Sequence, residues 1–400
     1  MREIFTVRRR FVAAIAAVAA AVGCAAAMPA EAAQPVGKVL HDNSRQGLPD
    51  SYIVTLKKTC GFTAGSPEGR RLARKYGATV RRTYRSALNG YAVRVNAAGA
   101  RKFAGDKDVA RVERDQRIRI KATQLNPTWN LDRIDQARLP LSRTYTYPDT
   151  AGSGATVYVI DTGVRITHRQ IYPRAVYGYD AIDRDMVSSD GNGHGTHVAT
   201  TVAGTAYGVA KRTKIVAVRV LDNNGSGSTS GVIAGIDWVT RNRVGPSVAN
   251  MSLGGPASTT LDTAVSNSIA SGVTYAVAAG NANTNAANTS PARVASAITV
   301  GATTSSDARA GYSNYGSALD LFAPGSSILA GWYTSDTATA YLSGTSMATP
   351  HVAGAAAVYL TSHPGASPAT VRAALVNGAT TGVLSNIGTG SPNRLLRLVP

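Results

Sequence analysis

Hydrophobic residues in the C-terminal two thirds of this 400-residue chain form short continuous runs that alternate with helix-like stretches. Within a run, apolar residues follow one another without the polar–apolar alternation that a half-exposed strand shows. Such runs are typical of strands covered by helices on both faces, as in a parallel sheet. We therefore predict an α/β fold with strands at residues 155–161, 215–221, 248–254, 273–280 and 297–302.

Helices are predicted between and after these strands: one begins at His194, two cover residues 229–242 and 260–272, and the last begins at Ser346. In open parallel sheets, ligand-binding crevices lie beyond the carboxyl ends of the strands. Asp161 ends one predicted strand and Asn281 follows another. We expect these side chains to converge at that edge of the sheet.

Residues 33–121 show a different pattern and are predicted to form their own domain, ahead of a domain over residues 122–400. Short strand-like segments surround a polar, basic, helix-like stretch at residues 66–77. Strands around a helix within so short a segment favour a small α+β domain. The boundary is placed after Lys121, where the density of charged residues falls.

Residues 1–32 have the features of a signal peptide: a basic start, an apolar run at 11–27 and small residues before a cleavage site near Ala32. The mature protein is therefore expected to be secreted and extracellular. Three consecutive arginines, Arg8 to Arg10, leave both general and twin-arginine export open. A membrane anchor is the less favoured alternative, because a processing site follows the run and no later stretch reaches about 18 apolar residues.

The net charge of +19 raises the possibility of nucleic-acid binding, but its distribution argues against it. Residues 33–121 carry 20 basic and 7 acidic groups, whereas residues 122–400 carry 18 and 14. Basic residues in the longer segment are scattered and form no patch. No nucleic-acid partner is therefore predicted.

Cysteine occurs only at positions 24 and 60, so the chain beyond residue 60 can form no disulfide within itself. A lipoprotein role for Cys24 is disfavoured, because Ala21-Val22-Gly23 is a poor lead-in for one. An exported fold without disulfides needs another stabilising element.

Three short motifs carry the candidate chemistry: DTG at 161–163, HGTH at 194–197 and GTSMATPH at 344–351. They supply Asp161, His194 and Ser346. A serine hydroxyl needs a positioned base to attack an amide, which histidine provides, and a carboxylate holds the imidazole in the required tautomer. Each motif alone could be a cap or a turn, but the ordered set favours a serine hydrolase.

Ser346 is expected at the start of a helix, where the macrodipole favours the negative charge that develops on attack. Pro350 is expected in the first turn of that helix, where its missing N–H has no intrahelical partner. Asn281 is the candidate side-chain donor to the oxyanion.

The two histidines of HGTH leave a zinc site as an alternative. It is disfavoured, because no glutamate follows residue 113 and the HExxH pattern is therefore missing. His194 lies where a side chain can point into a cleft, and His197 is expected to point into the fold.

The segments HGTHVA, SLGG, AAGN, SNYG and GTSMATPHVAG occur in this order, and with them residues 122–400 resemble the proteinase K-like subtilases of the aqualysin type. Residues 51–121 resemble the inhibitor-type propeptide of that family. The resemblance implies a monomeric endopeptidase made as a zymogen, which cuts itself before Ala122 and whose propeptide inhibits it until removal.

The resemblance also implies residue roles. Asp161, His194 and Ser346 would be the catalytic triad, with Asn281 as the oxyanion donor. The substrate polypeptide would lie along three segments: Gly225, Ser226 and Gly227; Ser252, Leu253 and Gly254; Ala278, Ala279 and Gly280. Specificity is implied to be broad, with apolar or aromatic residues before the cut.

Calcium is the cofactor that the resemblance implies, bound in loops by oxygen ligands. The matching positions are Asp320, with carbonyls near Ala295 and Ala297, and the group Asp132, Asp135 and Gln136. For each aspartate, a solvated loop charge is the alternative.

Two other functions remain open: a catalytically silent subtilase fold that binds other proteins, and an esterase with the same triad. The filled chemical positions argue against the first, and the peptide-groove segments against the second. The chain departs from the family at Thr200, where the family has glycine. It also departs at three positions where aqualysin-type relatives carry cysteines: Asn223, Ala287 and Ala318.

Overall fold

The computed structural model describes residues 36–43, 47–116 and 121–398. The chain divides into two compact units, residues 1–118 and 119–400. The predicted signal peptide, residues 1–32, lies outside the described residues. The domain boundary predicted after Lys121 stays a prediction.

The first unit contains a five-stranded sheet and two helices within its described residues. Its elements are β1 (Val39–Leu40), β2 (Gly47–Leu56), α1 (Pro67–Lys75), β3 (Thr79–Tyr84), β4 (Gly90–Arg94), α2 (Ala97–Ala104) and β5 (Val109–Gln116). The strand order is β1-β5-β2-β4-β3, and all pairs except β1–β5 are antiparallel. The predicted small α+β domain is confirmed.

Local sequence explains these elements. Tyr52, Val54 and Leu56 of β2 are buried while the residues between them are not, so one face of the strand packs on the core. Helix α1 begins after Ser66, whose hydroxyl accepts a hydrogen bond from Gly69 N–H at 3.1 Å. This cap satisfies one of the amides that have no partner within the helix.

The second unit has mixed α/β structure. Its helices are α3 (Trp129–Asp135), α4 (His194–Ala203), α5 (Thr229–Asn242), α6 (Thr259–Ala270), α7 (Thr345–Ser362) and α8 (Pro368–Gly378). Its strands are β6 (Lys121–Leu125), β7 (Thr144–Pro148), β8 (Thr156–Asp161), β9 (Ala175–Asp180), β10 (Lys214–Arg219), β11 (Ser247–Met251), β12 (Gly255–Pro256), β13 (Val273–Ala278), β14 (Thr289–Ser290), β15 (Ile298–Thr303), β16 (Leu321–Pro324), β17 (Ile328–Gly331), β18 (Thr339–Leu342), β19 (Thr380–Thr381) and β20 (Arg394–Leu395).

The main sheet has the order β19-β20-β16-β15-β13-β11-β8-β10-β9, and every pair except β19–β20 is parallel. Both faces are buried: Val157 and Val159 of β8 belong to one hydrophobic cluster, and Tyr158 and Ile160 to another. Residues of α4 and α7 line the first cluster, and residues of α5 and α6 the second. The predicted parallel α/β sheet with helices on both faces is confirmed.

The predicted strands correspond to β8, β10, β11, β13 and β15. Edge strand β9 was not predicted, because its six residues form no continuous apolar run: they include Gly178 and end in Asp180. Helix α8 was also missed; it begins at Pro368 after the cap Ser367.

Within residues 36–43, 47–116 and 121–398, no helix is both long and apolar enough to cross a membrane. In the same ranges, Cys60 is a free thiol that donates to Phe62 O at 3.1 Å.

A buried ion pair between Arg133 of α3 and Asp307 should be a main determinant of stability in the second unit. The fully buried guanidinium bonds to both oxygens of Asp307, at 2.7 and 2.9 Å. Asp307→Asn keeps the size of the side chain and tolerates the local φ of +58°, but leaves the arginine without a counter-charge. We expect the free energy of unfolding to fall by about 3 kcal/mol, measured by thermal unfolding with proteolysis blocked.

The control is Asp237→Asn, which breaks the exposed pair between Arg241 and Asp237 on α5. Its change should stay within about 0.5 kcal/mol. Equal losses in the two variants would contradict this assignment.

Candidate active site

Asp161 and His194 are joined directly. Asp161 is the last residue of β8 and is fully buried, and its Oδ1 lies 2.7 Å from His194 Nδ1. Thr162 N–H donates to the same oxygen at 2.7 Å. Because the carboxylate accepts the Nδ1 proton, the imidazole presents Nε2 as the free base.

Asp190, which sequence reasoning missed, fixes the start of α4. Its Oδ1 accepts hydrogen bonds from Thr162 Oγ1, Asn192 N and Gly193 N, and its Oδ2 accepts from Thr196 N and Oγ1. Thr162 Oγ1 in turn accepts from the N–H of Gly195. Asp190 and Thr162 therefore connect the segment after β8 to the first turn of α4, next to the Asp161–His194 contact.

Gly193 is required immediately before His194. Its φ is +113°, in the left-handed region that side chains disfavour. A Cβ at this position would also lie 2.5 Å from the indole of Trp332. The backbone can turn into α4 here because the residue is glycine.

Electrostatics favour the charged form of His194. Burial alone lowers the pKa of this imidazole, but the charge and hydrogen bond of Asp161, together with the charge of Asp190, raise it above its usual 6.5. The side chain is one quarter exposed, so its ring is accessible.

His197, the other histidine of the HGTH motif, points into the fold as predicted. Its ring is buried, and its Nε2 lies 3.0 Å from Ile328 O and 3.2 Å from Ala340 O. Burial lowers the pKa of His197 to about 4. Within the described ranges, no group of three or more histidine, cysteine or acidic side chains is placed to hold a metal ion.

Ser346 is the second residue of α7 and is paired with Ser252, which follows β11. Ser346 Oγ donates to Ser252 O at 3.0 Å, and Ser252 Oγ donates to Ser346 O at 2.8 Å. The amide of Ser346 is among the first N–H groups of a helix, which have no intrahelical acceptor.

The prediction that Pro350 lies in the first turn of its helix is wrong. Helix α7 begins at Thr345, so Pro350 is its sixth residue. Without an N–H, this proline cannot bond to the carbonyl four residues earlier, which is that of Ser346. The hydroxyl of Ser252 supplies the missing donor and keeps the helix start intact.

Asn281 lies at the same edge, three residues beyond the end of β13. Its Oδ1 accepts from Thr345 N at 2.8 Å and from Thr345 Oγ1 at 2.9 Å. This orients the amide so that Nδ2 remains as a donor, and the residue is exposed. Two donors, Asn281 Nδ2 and the N–H of Ser346, therefore flank the start of α7.

Comparison with known families agrees with this geometry. The family model of the Subtilase family matches residues 152–394, and that of Peptidase inhibitor I9 matches residues 51–121. The chain belongs to the subtilase family. It is therefore a serine endopeptidase, as the sequence predicted.

Individual relatives are similar over most of the chain. The "Extracellular serine proteinase" of Thermus sp. (strain Rt41A) is 57% identical over 80% of this chain and 78% of its own length. "Alkaline serine exoprotease A" of Vibrio alginolyticus is 46% identical over 87% of this chain and 67% of that protein. A solved "cold adapted subtilisin-like serine proteinase" is 55% identical with a TM-score of 0.67, covering 69% of this chain and 99% of its own.

The predicted substrate segments of this subtilase lie in three loops at the carboxyl edge of the sheet. The loop that carries Gly225, Ser226 and Gly227 follows β10 and is exposed. Asp222 shapes it, because its side chain accepts from Ser226 N and its N–H donates to Ser226 O. The other two segments, Ser252, Leu253 and Gly254, and Ala278, Ala279 and Gly280, directly follow or end the neighbouring strands β11 and β13.

Asn314, within the SNYG motif, is a further residue that sequence reasoning did not assign. Its Nδ2 donates to Ala279 O at 2.8 Å, and its Oδ1 accepts from Ala282 N and Thr284 N. The loop that presents Asn281 is thus held from both of its ends. The position of this asparagine within SNYG was the available signal.

The predicted calcium ligands fall in two separate places. In the first, Ser142 N donates to both Asp132 Oδ1 and Gln136 Oε1, which brings these two residues together. Nearby, Asp135 Oδ2 accepts from Thr146 N at 2.6 Å.

Asp320 lies elsewhere, immediately before β16, and pairs with Arg372. Ala295 and Ala297, whose carbonyls were predicted to join it, lie in the segment before β15, where Ala297 N donates to Val294 O.

Thr200, which stands where the resembling family has glycine, is accommodated by Gly331. Its Oγ1 accepts from Gly331 N at 2.8 Å, and a Cβ on Gly331 would lie 2.8 Å from Thr200 Cγ2. The hydroxyl thereby connects α4 to β17.

The two histidines of the HGTH motif should titrate differently. We expect the ring resonances of His194 to shift with a pKa above 6.5, because Asp161 and Asp190 stabilise its cation. Those of His197 should stay unchanged down to about pH 4. An NMR titration of ring-labelled protein with proteolysis blocked measures both.

The depressed pKa of His197 also affects stability. Between about pH 6.5 and 4 the unfolded chain binds a proton that the folded chain does not, so stability falls as the pH is lowered through this range. A His197 that titrates near pH 6.5 would contradict the buried, neutral assignment.

Proposed function

We propose that this chain is a secreted endopeptidase in which Ser346 is the nucleophile, His194 the general base, Asp161 the orienting carboxylate and Asn281 the oxyanion donor. The observation that carries the proposal is the 2.7 Å bond between buried Asp161 and His194, at the sheet edge where Ser346 begins α7. Secretion is supported by the signal-peptide pattern of residues 1–32 and by the Thermus relative, which is named extracellular.

The first step needs the Ser346 side chain to rotate. Its hydroxyl donates to the carbonyl of Ser252 and must turn towards His194 Nε2 for catalysis. The imidazole then takes the hydroxyl proton as Oγ bonds to the substrate carbonyl carbon. The proton passes to the leaving amine as the C–N bond breaks, and a water molecule releases the acyl group by the same sequence.

Charge on the substrate oxygen would be stabilised by two donors, Asn281 Nδ2 and Ser346 N–H. The hydrogen bonds of Asn281 Oδ1 to Thr345 fix the amide in advance, so little reorganisation accompanies the reaction. The start of α7 adds its positive dipole at the same point. This preorganisation supports amide hydrolysis over a silent binding role.

Broad specificity is supported by the loops around the site. The exposed backbone of Gly225 to Gly227 can pair with an extended polypeptide through main-chain hydrogen bonds, which do not depend on side-chain identity. The choice among substrate side chains would then depend on the pocket beside Ser252 to Gly254 and Ala278 to Gly280. A dedicated esterase would need no such groove.

We also propose that the protein is a zymogen that cuts itself before Ala122, with the preceding domain as its inhibitor. In the structure Ala122 of β6 pairs with Tyr147 of β7, and β7 leads to the amino end of β8. Asp161 lies at the opposite end of β8, about 20 Å away for six residues. Cleavage would therefore precede the pairing of β6 with β7.

Calcium is proposed at the loop of Asp132, Asp135 and Gln136. Within the described residues, Asp135 Oδ1 is buried and has no hydrogen-bond partner, which suits a cation ligand. Burial raises the pKa of Asp135, and a bound cation would favour its charged form. Subtilases generally bind calcium, and here the ion would stabilise a loop that no disulfide can tie.

Replacing the nucleophile should stop both maturation and proteolysis. We expect purified full-length Ser346→Ala protein to remain one uncut chain and to leave casein intact, because the neighbouring hydroxyl at the start of α7, that of Thr345, already donates to Asn281 Oδ1. Gel electrophoresis and mass spectrometry of the N-terminus report the result. Ser335→Ala, an exposed serine, is the control and should mature normally. Unaided maturation of Ser346→Ala would refute the assignment.

Asp161→Asn should lower kcat by about 10⁴-fold, the order known for subtilisin itself. It should also move the acid limb of kcat/KM. In the unsubstituted enzyme this limb should lie above pH 6.5, because activity needs neutral His194 and its pKa is raised. Removing the carboxylate charge should shift the limb to lower pH, as pH–rate profiles would show. Asp185→Asn, an exposed carboxylate, should leave it in place; an unmoved limb in Asp161→Asn would count against the proposed role.

A further inference from the structure

The carboxylate of Asp320 is held within the sheet by its neighbour strand. Asp320 N–H donates to Thr299 O at 3.0 Å, and Thr299 N–H donates back to Asp320 Oδ2 at 2.8 Å. The side chain is only 7% exposed, so its charge needs a partner inside the protein. One of its two oxygens is therefore already committed to a backbone amide.

The other oxygen faces a guanidinium. Arg372 of α8 places Nη2 2.5 Å from Asp320 Oδ1, in a short, charge-assisted contact. A second arginine, Arg394 of β20, is close enough to stabilise the charged form of Asp320. Two positive side chains thus surround a single buried carboxylate.

This arrangement does not fit a calcium ion. Calcium takes six to eight oxygen ligands, whereas both oxygens of Asp320 receive hydrogen bonds from N–H donors, and two guanidinium charges would repel a divalent cation. In the loop of Asp132 and Asp135, both oxygens of Asp132 also accept from backbone N–H groups, but Asp135 Oδ1 is buried and has no donor among the described residues.

We propose that Arg372 takes the place of calcium at Asp320, so that a cation of the protein itself fixes the amino ends of β15 and β16. The pair connects α8 to these strand ends and needs no ion from the medium. Calcium dependence then belongs to the Asp132–Gln136 loop alone among the predicted sites. This inference does not depend on the proposed catalytic roles.

The experiment measures the calcium response, defined as the melting temperature in calcium minus that in chelator, for full-length protein with proteolysis blocked by a serine-directed inhibitor. Asp320→Asn should leave the response of the unsubstituted protein unchanged. Arg372→Gln should gain a response of about 5 °C at calcium about 100-fold above its dissociation constant. Adding Asp320→Asn to Arg372→Gln should remove that gain.

Arg241→Gln, which removes an exposed arginine of α5 from a surface ion pair, is the matched control and should gain nothing. Asp135→Asn should lose the response of the unsubstituted protein. The proposal is overturned if Asp320→Asn abolishes that response, or if Arg372→Gln gains none.

If Arg372→Gln fails to fold, equilibrium dialysis with radioactive calcium decides the question from two folded proteins. The unsubstituted protein and Asp320→Asn should bind the same number of ions. One ion fewer in Asp320→Asn would overturn the proposal.

Discussion

The parallel register of β13, β11 and β8 is the constraint on which the site depends. Asn250 pairs with Val159 and Met251 with Val277, so the three strands end level with one another. Neighbouring strands lie about 4.8 Å apart, and each end holds one chemical group: Asp161 as the last residue of β8, Ser252 with its partner Ser346 after β11, and Asn281 after β13. Any slip in register would separate these groups.

Backbone groups that secondary structure leaves unpaired are used to assemble the same edge. Because Pro350 has no N–H, the carbonyl of Ser346 lacks its helical donor, and Ser252 Oγ donates a hydrogen bond to it instead. The N–H of Thr345, the first residue of α7, donates to Asn281 Oδ1. The carboxylate of Asp190 accepts from the N–H groups of Gly193 and Thr196 at the start of α4. Each of these bonds pairs a backbone group that secondary structure leaves free and also holds a segment of the candidate site, so the edge is organised before substrate binds.

Arginine–carboxylate pairs stabilise loops that have no disulfides. Arg133 and Asp307 are joined in the core, Arg219 binds Asp180 and Asp183 at the carboxyl ends of β9 and β10, and Arg372 binds Asp320 at the amino end of β16. Arg219 also donates to Asn223, a position where aqualysin-type relatives carry cysteine. Bidentate or multiple contacts make these pairs more specific than ordinary surface ion pairs.

The sequence by itself determined the parallel α/β fold and the position of the long helices, and it singled out Asp161, His194, Ser346 and Asn281 as candidates, because continuous apolar runs and short motifs are local signals. Tertiary structure alone decided the pairing of Ser346 with Ser252, the role of Asp190 and Asn314, and the arginine at Asp320. These depend on residues far apart in the chain, such as Arg372 and Asp320, whose contact no local pattern encodes. Edge strand β9 was missed for a related reason: it is placed by pairing with β10, while its own six residues, interrupted by Gly178, form no continuous apolar run.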